Sequence, residues 1–162
     1  MNQKISNNYF ISMEINSASI TINSRIKNIY GFLILSGWHF LIGTVSKNKK
    51  EINIEKEILN KPHWPIRPSS SANRYKRIYI ERQYSFFKEI DELLEQFFIK
   101  DNKIIISGLI IAGSKDTIKA YLKIKNRNLI LNKYITTKIE LENEGKLGFN
   151  EAIDKSMIND NL

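Results

Sequence analysis

Apolar residues in this chain fall into short dense runs that suit strands and one long stretch with helical spacing, and a proline-marked loop stands between them. Tyr30 to Leu35 is an apolar run, Ser36-Gly37 punctuates it, and Phe40 to Ser46 is a second run, so the pattern predicts an antiparallel meander. In Glu51 to Leu59, Ile52 and Ile54 alternate with polar positions, which predicts a third strand. Ahead of these, Ile11, Met13 and Ile15 alternate with Ser12, Glu14 and Asn16, and Ile20 and Ile22 repeat the pattern. Two short strands are therefore expected within an amino-terminal extension, residues 1–29.

All three prolines, Pro62, Pro65 and Pro68, lie in the segment Lys61 to Ser70. Proline fixes its own φ and lacks an amide hydrogen, so neither helix nor ladder can run through this segment, and an exposed, partly stiff loop is expected. Beyond it Ser71 or Ser70 is placed to cap a helix whose apolar positions, Tyr75, Ile78, Phe87, Ile90, Leu94 and Phe97, share one face. Continued to Phe98, such a helix is about 40 Å long. Lys103 to Ala112 is apolar almost throughout, as expected of a strand buried on both faces, and is predicted to lie at the sheet centre. Gly113-Ser114 turns into a helix from Lys115. A strand from Tyr134 to Leu141, a Gly145 turn and a helix from about Phe149 to Met157 follow. The expected fold is α/β: a single domain over residues 30–162, with a central mixed β-sheet of about five strands flanked by helices and one long basic-tipped helix after an exposed loop.

Composition narrows the chemistry. Among 162 residues there is no cysteine, and the histidines are His39 and His63. Zinc clusters and thiol nucleophiles are excluded, and a serine triad would have to use one of those two imidazoles, so no metal or other cofactor and no small-molecule substrate are expected. No apolar run approaches the roughly 20 residues that cross a bilayer, and the polar amino end lacks a secretion signal, which predicts a cytoplasmic protein with no membrane partner.

Charge adds a direction. The formal net charge is +8, the electrostatic footprint of a protein that lies against phosphates. The chain is also rich in Ile and Asn, which AT-rich coding favours, so the lysine surplus has a compositional reading as well. The long predicted helix is more specific: Arg74, Lys76, Arg77 and Arg82 stand near its start and Glu89, Asp91, Glu92 and Glu95 near its end. That order opposes the helix dipole, which favours acids first and bases last, so an external partner for the basic end is expected.

Ser71, Ala72, Arg74, Tyr75, Arg77, Glu81 and Arg82 resemble the helix that follows the Gly-Gly-Gln tip in the middle domain of eukaryotic and archaeal class-one peptide-chain release factors. Tyr30-Gly31-Phe32-Leu33-Ile34-Leu35 with Gly43-Thr44, then Ser107 to Ser114 with Lys119, then Gly148-Phe149-Asn150-Glu151-Ala152-Ile153 extend the resemblance over about residues 30–160 in the family's order. In that family the two glycines permit a backbone shape other residues resist and the glutamine helps place the attacking water. Here Arg67 is followed by Pro68, Ser69 and Ser70. Tyr79 stands where the family has an arginine.

The resemblance therefore implies a domain that reaches the tRNA and peptidyl-transferase region of the large ribosomal subunit without hydrolysing peptidyl-tRNA. Such a domain would act as a non-enzymatic, translation-silencing dormancy (hibernation) factor. Arg67, Arg74, Lys76, Arg77 and Arg82 would neutralise ribosomal RNA phosphates, Trp64 would either stack on a base or pack on its own domain, and Pro68, Ser69 and Ser70 would form an inert tip. The stretch before residue 30 is too short for a stop-codon-reading domain, so the chain is expected to act without reading codons. Two other readings stay open at this stage: a peptidyl-tRNA hydrolase using Ser69, Ser70 or His63, and a lineage-specific structural ribosomal protein.

Overall fold

The computed structural model describes residues 29–47, 49–124 and 128–160. The strands expected over Ile11 to Ile22 lie outside the described residues. The described elements begin with β1 (Ile29–Ser36), β2 (His39–Ser46) and β3 (Lys49–Glu57), followed by α1 (Ala72–Phe98). A short pair, β4 (Ile99–Lys100) and β5 (Lys103–Ile104), precedes β6 (Gly108–Gly113) and α2 (Lys115–Leu122). The chain continues through α3 (Leu129–Lys133), β7 (Ile135–Glu140) and α4 (Gly145–Asp160).

Five strands form one mixed sheet in the order β3-β2-β1-β6-β7. β1 pairs antiparallel with β2 and parallel with β6, and β7 joins β6 in parallel. The central strand is thus β1, not the strand drawn from Lys103 to Ala112. That apolar run is cut in three. Lys103–Ile104 turns back on β4, residues 105–107 cross over, and only Gly108–Gly113 enters the sheet, where every residue is buried as expected. Hydropathy could not mark the cut, because Ile104, Ile105, Ile106 and Ile111 all pack against one core, whichever part of the run they belong to. The β4–β5 turn is made by Asp101 and Asn102 at φ 49° and 58°, the left-handed geometry that two-residue hairpins require and that Asp and Asn tolerate.

Alternation along β1 builds two cores. Leu33 and Leu35 face the layer of α1 and α2 with Phe86, Phe87, Ile90, Leu94 and Tyr121, while Phe32 and Ile34 face α4 with Phe149, Ala152 and Ile153. Gly113, at φ 142°, lets β6 bend into α2: a Cβ there would lie 1.8 Å from the Leu35 carbonyl oxygen, closer than any side chain can come. α4 starts at Gly145, four residues before the expected Phe149, and its first turns are tied to the preceding loop by Glu151. That carboxylate accepts from the backbone N–H groups of Glu142 and Asn143 and pairs with Lys155 at 2.7 Å. The Lys155 ammonium, with those amides and the Asn143 side chain, holds the Glu151 carboxyl down at about 2.

Candidate nucleic-acid interface

Residues 58–71 join β3 to α1 without regular structure, and α1 begins only after the last proline, where neither Pro nor Gly interrupts it for 27 residues. Ser71 occupies the N-cap position but makes no capping hydrogen bond; its Oγ lies 3.3 Å from the Ser69 Oγ, and the Ala72 N–H donates to the Ser69 carbonyl instead. The expected serine cap is therefore absent, since Ser71 has helical and not extended backbone angles and its hydroxyl points away from the free amides. At the base of the loop, Lys61 pairs with Glu57 at 2.7 Å, which lowers the carboxyl and raises the ammonium from their ordinary values.

Aromatic rings anchor the loop. Trp64 meets Tyr79 edge-on with centroids 5.2 Å apart, Tyr79 meets Trp38 at 5.4 Å, and Trp38 meets Phe86 at 5.4 Å. Phe86 in turn touches Phe40 and Phe87, and Phe87 reaches Tyr121 in α2. Edge-to-face pairs add roughly 0.5–1.5 kcal/mol each beyond their buried area, so this chain of rings ties the loop to the core. Lys76 places its Nζ 5.8 Å from the Trp64 ring centre, within cation–π range. Of the two roles open to Trp64, the packing role is the one observed, with 48% of the residue still exposed.

Sequence reasoning missed this use of Trp38 and Tyr79. Position 79 read only as a lost arginine; the available signal was a pair of tryptophans, one beside the Gly37 turn and one in the proline loop.

Arg67, Arg74, Lys76, Arg77 and Arg82 are all exposed. Among the described residues none of them forms an ion pair, so the internal pairing with Glu81 or near Asp91 that would explain Arg74 and Arg77 cheaply is not made. Tyr75, expected on the buried face, is 54% exposed, because this part of α1 has no sheet beneath it; Ile78 and Phe97 are half-buried, and Phe86 and Phe98 supply the buried positions instead. At the tip, Ile66 is 94% exposed and Pro68, Ser69 and Ser70 are exposed beside it. No residue from 58 to 71 takes a positive φ, so this loop contains no position with the left-handed backbone that glycine makes easy.

His63 is exposed and forms no hydrogen bond among the described residues, and His39 instead pairs with Glu55 at 3.2 Å beside the start of α4. Among the described residues neither imidazole is brought to a serine hydroxyl. Among the described residues no group of His, Asp or Glu is arranged to hold a metal ion, and no helix is long and apolar enough to cross a membrane. What the site offers is a set of exposed guanidinium and ammonium groups around a stiff, uncharged nose, an arrangement able to bind phosphates and bases.

The sequence pattern that defines eRF1 domain 2 matches residues 29–162. This chain belongs to the eRF1 domain 2 family. Eukaryotic peptide chain release factor subunit 1 of Podospora anserina is 29% identical over 129 residues, taking in 77% of this chain and 28% of that protein. The same subunit of Loxodes striatus is 26% identical over 129 residues, 80% of this chain and 29% of that protein. The chain thus spans under a third of the length of these relatives. In fold, this eRF1 domain 2 is similar to the archaeal translation termination factor aRF1, with a TM-score of 0.59 at 19% identity over 80% of this chain and 34% of that one. Its likeness to Archaeoglobus fulgidus Pelota has a TM-score of 0.55 at 17% identity over 90% of this chain and 36% of that one.

Proposed function

We propose that this eRF1 domain 2 binds the large ribosomal subunit at its tRNA and peptidyl-transferase region and occupies that region without hydrolysing peptidyl-tRNA, silencing translation as a cytoplasmic dormancy factor. The observation that carries this reading is the start of α1: Arg67, Arg74, Lys76, Arg77 and Arg82 surround an uncharged tip, are exposed, and have no internal ion pair among the described residues. Phosphates of ribosomal RNA are the partners that would balance them. Tyr75 and Ile66 are free to meet exposed bases, while Trp64 holds the loop in place.

The absence of catalysis rests on the tip. Pro68, Ser69 and Ser70 stand where the resemblance puts Gly-Gly-Gln, no loop residue has a glycine-like φ, and among the described residues neither imidazole is joined to a serine. A release assay on ribosomes loaded with peptidyl-tRNA tests this directly. The protein is expected to sediment with ribosomes in low salt, to leave the ester intact, and to inhibit release by an added release factor. Ester turnover that disappears in Ser69→Ala or Ser70→Ala would overturn the blocking reading in favour of a hydrolase.

A further inference from the structure

We propose that Ser70 is a phosphorylation site for an arginine-directed protein kinase, with a nucleoside triphosphate as phosphoryl donor, and that its modification switches off the basic tip. The switching rests on the RNA-binding function proposed above; the modification site stands on the loop alone. Kinases that select basic substrates read an arginine ahead of the acceptor hydroxyl through carboxylates in their own cleft, a charge-paired contact with directional geometry. Among all the serines and threonines of the chain, only Ser70 and Ser85 have an arginine three residues before them, Arg67 and Arg82. Sequence cannot choose between them; the fold does.

Ser85 lies inside α1, where its hydroxyl donates to the Glu81 carbonyl at 3.0 Å and the helix holds its backbone. A kinase would have to unwind that turn to draw the hydroxyl into its cleft. Ser70 instead precedes α1 in the segment without regular structure, is exposed together with Arg67, Pro68, Ser69 and Ser71, and makes no hydrogen bond among the described residues. The bond from the Ala72 N–H to the Ser69 carbonyl closes the turn around it, so only that turn has to open. Pro68 drives the residue before it toward extended angles, which suits Arg67 to presentation in a cleft. Arg67 has no ion pair among the described residues, so its recognition breaks none. In the transfer the Ser70 Oγ forms a bond to the γ-phosphorus, and the bond from that phosphorus to the β–γ bridging oxygen breaks. The nucleoside diphosphate leaves with the electron pair of that bond, and the hydroxyl proton passes to the kinase's catalytic carboxylate. The product carries a charge of about −2, three residues after Arg67 and four before Arg74, in front of a first helical turn that contains no acid. It would cancel about two of the tip's cations and take up guanidinium groups that RNA phosphates would otherwise engage.

The test incubates the full chain with MgATP and the catalytic domain of calmodulin-dependent protein kinase II, an arginine-directed enzyme, and maps the phosphate by mass spectrometry. In the folded chain Ser70 is expected to be labelled at least about tenfold faster than Ser85, and Arg67→Ala to slow Ser70 about tenfold, the loss of one charge-assisted contact. Heat-denatured chain should label both serines, since the helix that withholds Ser85 is gone. Labelling of Ser85 at the Ser70 rate in the folded chain, incorporation unchanged in Ser70→Ala, or no phosphate on the loop would each overturn the site. Binding of the phosphorylated and untreated chains to purified large ribosomal subunits is then compared over a salt series. A phosphate on Ser70 is expected to flatten the slope of log K against log salt by about 2, and phosphatase treatment to restore it. An unchanged slope with Ser70 fully phosphorylated would overturn the switch and leave the tip reading standing. Failure of the untreated chain to bind would remove the tip reading and the switch with it, while the mass spectrum would still decide the site.

Discussion

The two halves of α1 belong to one uninterrupted helix and answer to different partners. Along residues 83–98 the buried stripe of Phe86, Phe87, Ile90, Leu94 and Phe98 lies on the sheet, and each carboxylate is used inside the domain. Glu89 pairs with Lys56, Glu92 pairs with Lys88 at 3.8 Å, Asp91 accepts from Tyr121, and Glu95 accepts from Asn128. Along residues 72–82 only Ala72 is fully buried, and the cations have no ion pair among the described residues. The charge order that opposes the dipole is therefore not a single feature with a single cause. Its acidic half is satisfied within the domain, by tertiary contacts at Glu89, Asp91 and Glu95 and by the next turn of the helix at Glu92, and only its basic half calls for something outside the domain.

The comparison breaks most sharply on a stability measurement. Phe87→Ala should cost about 3–5 kcal/mol in a denaturant melt, through lost burial and the cavity left between α1 and α2. Arg77→Ala should stay within about 0.5 kcal/mol of wild type. Equal losses would mean the basic half is as structural as the acidic half.

A smaller effect probes the junction between the halves. Tyr79→Ala removes the ring between Trp38 and Trp64 and should lower stability by about 1–3 kcal/mol, with faster proteolysis within residues 58–71. Unchanged cleavage there would show that the ring chain does not hold the loop.

Acid tests the body alone, since arginines do not titrate in this range. The folded Glu151 carboxyl is depressed to about 2 from an ordinary 4.5, so its contribution is present above pH 4.5 and is lost as pH falls toward about 2. Glu151→Gln should weaken the domain by about 1 kcal/mol at neutral pH and flatten the fall in stability across that window. A parallel pH profile in wild type and variant would assign the acid sensitivity elsewhere.

The smallest change has the opposite sign. Arg74→Glu restores an acid to the first turn of α1 and should raise stability by about 0.3–1 kcal/mol while weakening RNA binding. A variant that loses both would contradict the division of the helix.

Periodicity alone specified most of the elements and their order: the β1–β2 meander, the loop of Pro62, Pro65 and Pro68, and a helix running to Phe98 are where the residues put them. These are local properties, set by side-chain period and by what proline and glycine permit. The cut in the isoleucine run, the β4–β5 turn and the start of α4 at Gly145 were not legible, because each depends on which surface a residue meets after the chain returns. The site divided in the same way. The sequence marked the cations and the altered tip, since residue type carries that chemistry by itself. It could not assign Tyr79 to Trp38 and Trp64, nor Tyr121 to Phe87 and Asp91, because such neighbours are made only when distant segments pack together. Whether a charge is satisfied within the fold or left for a partner is likewise a matter of distance between residues far apart in the chain, and tertiary structure alone sets that distance.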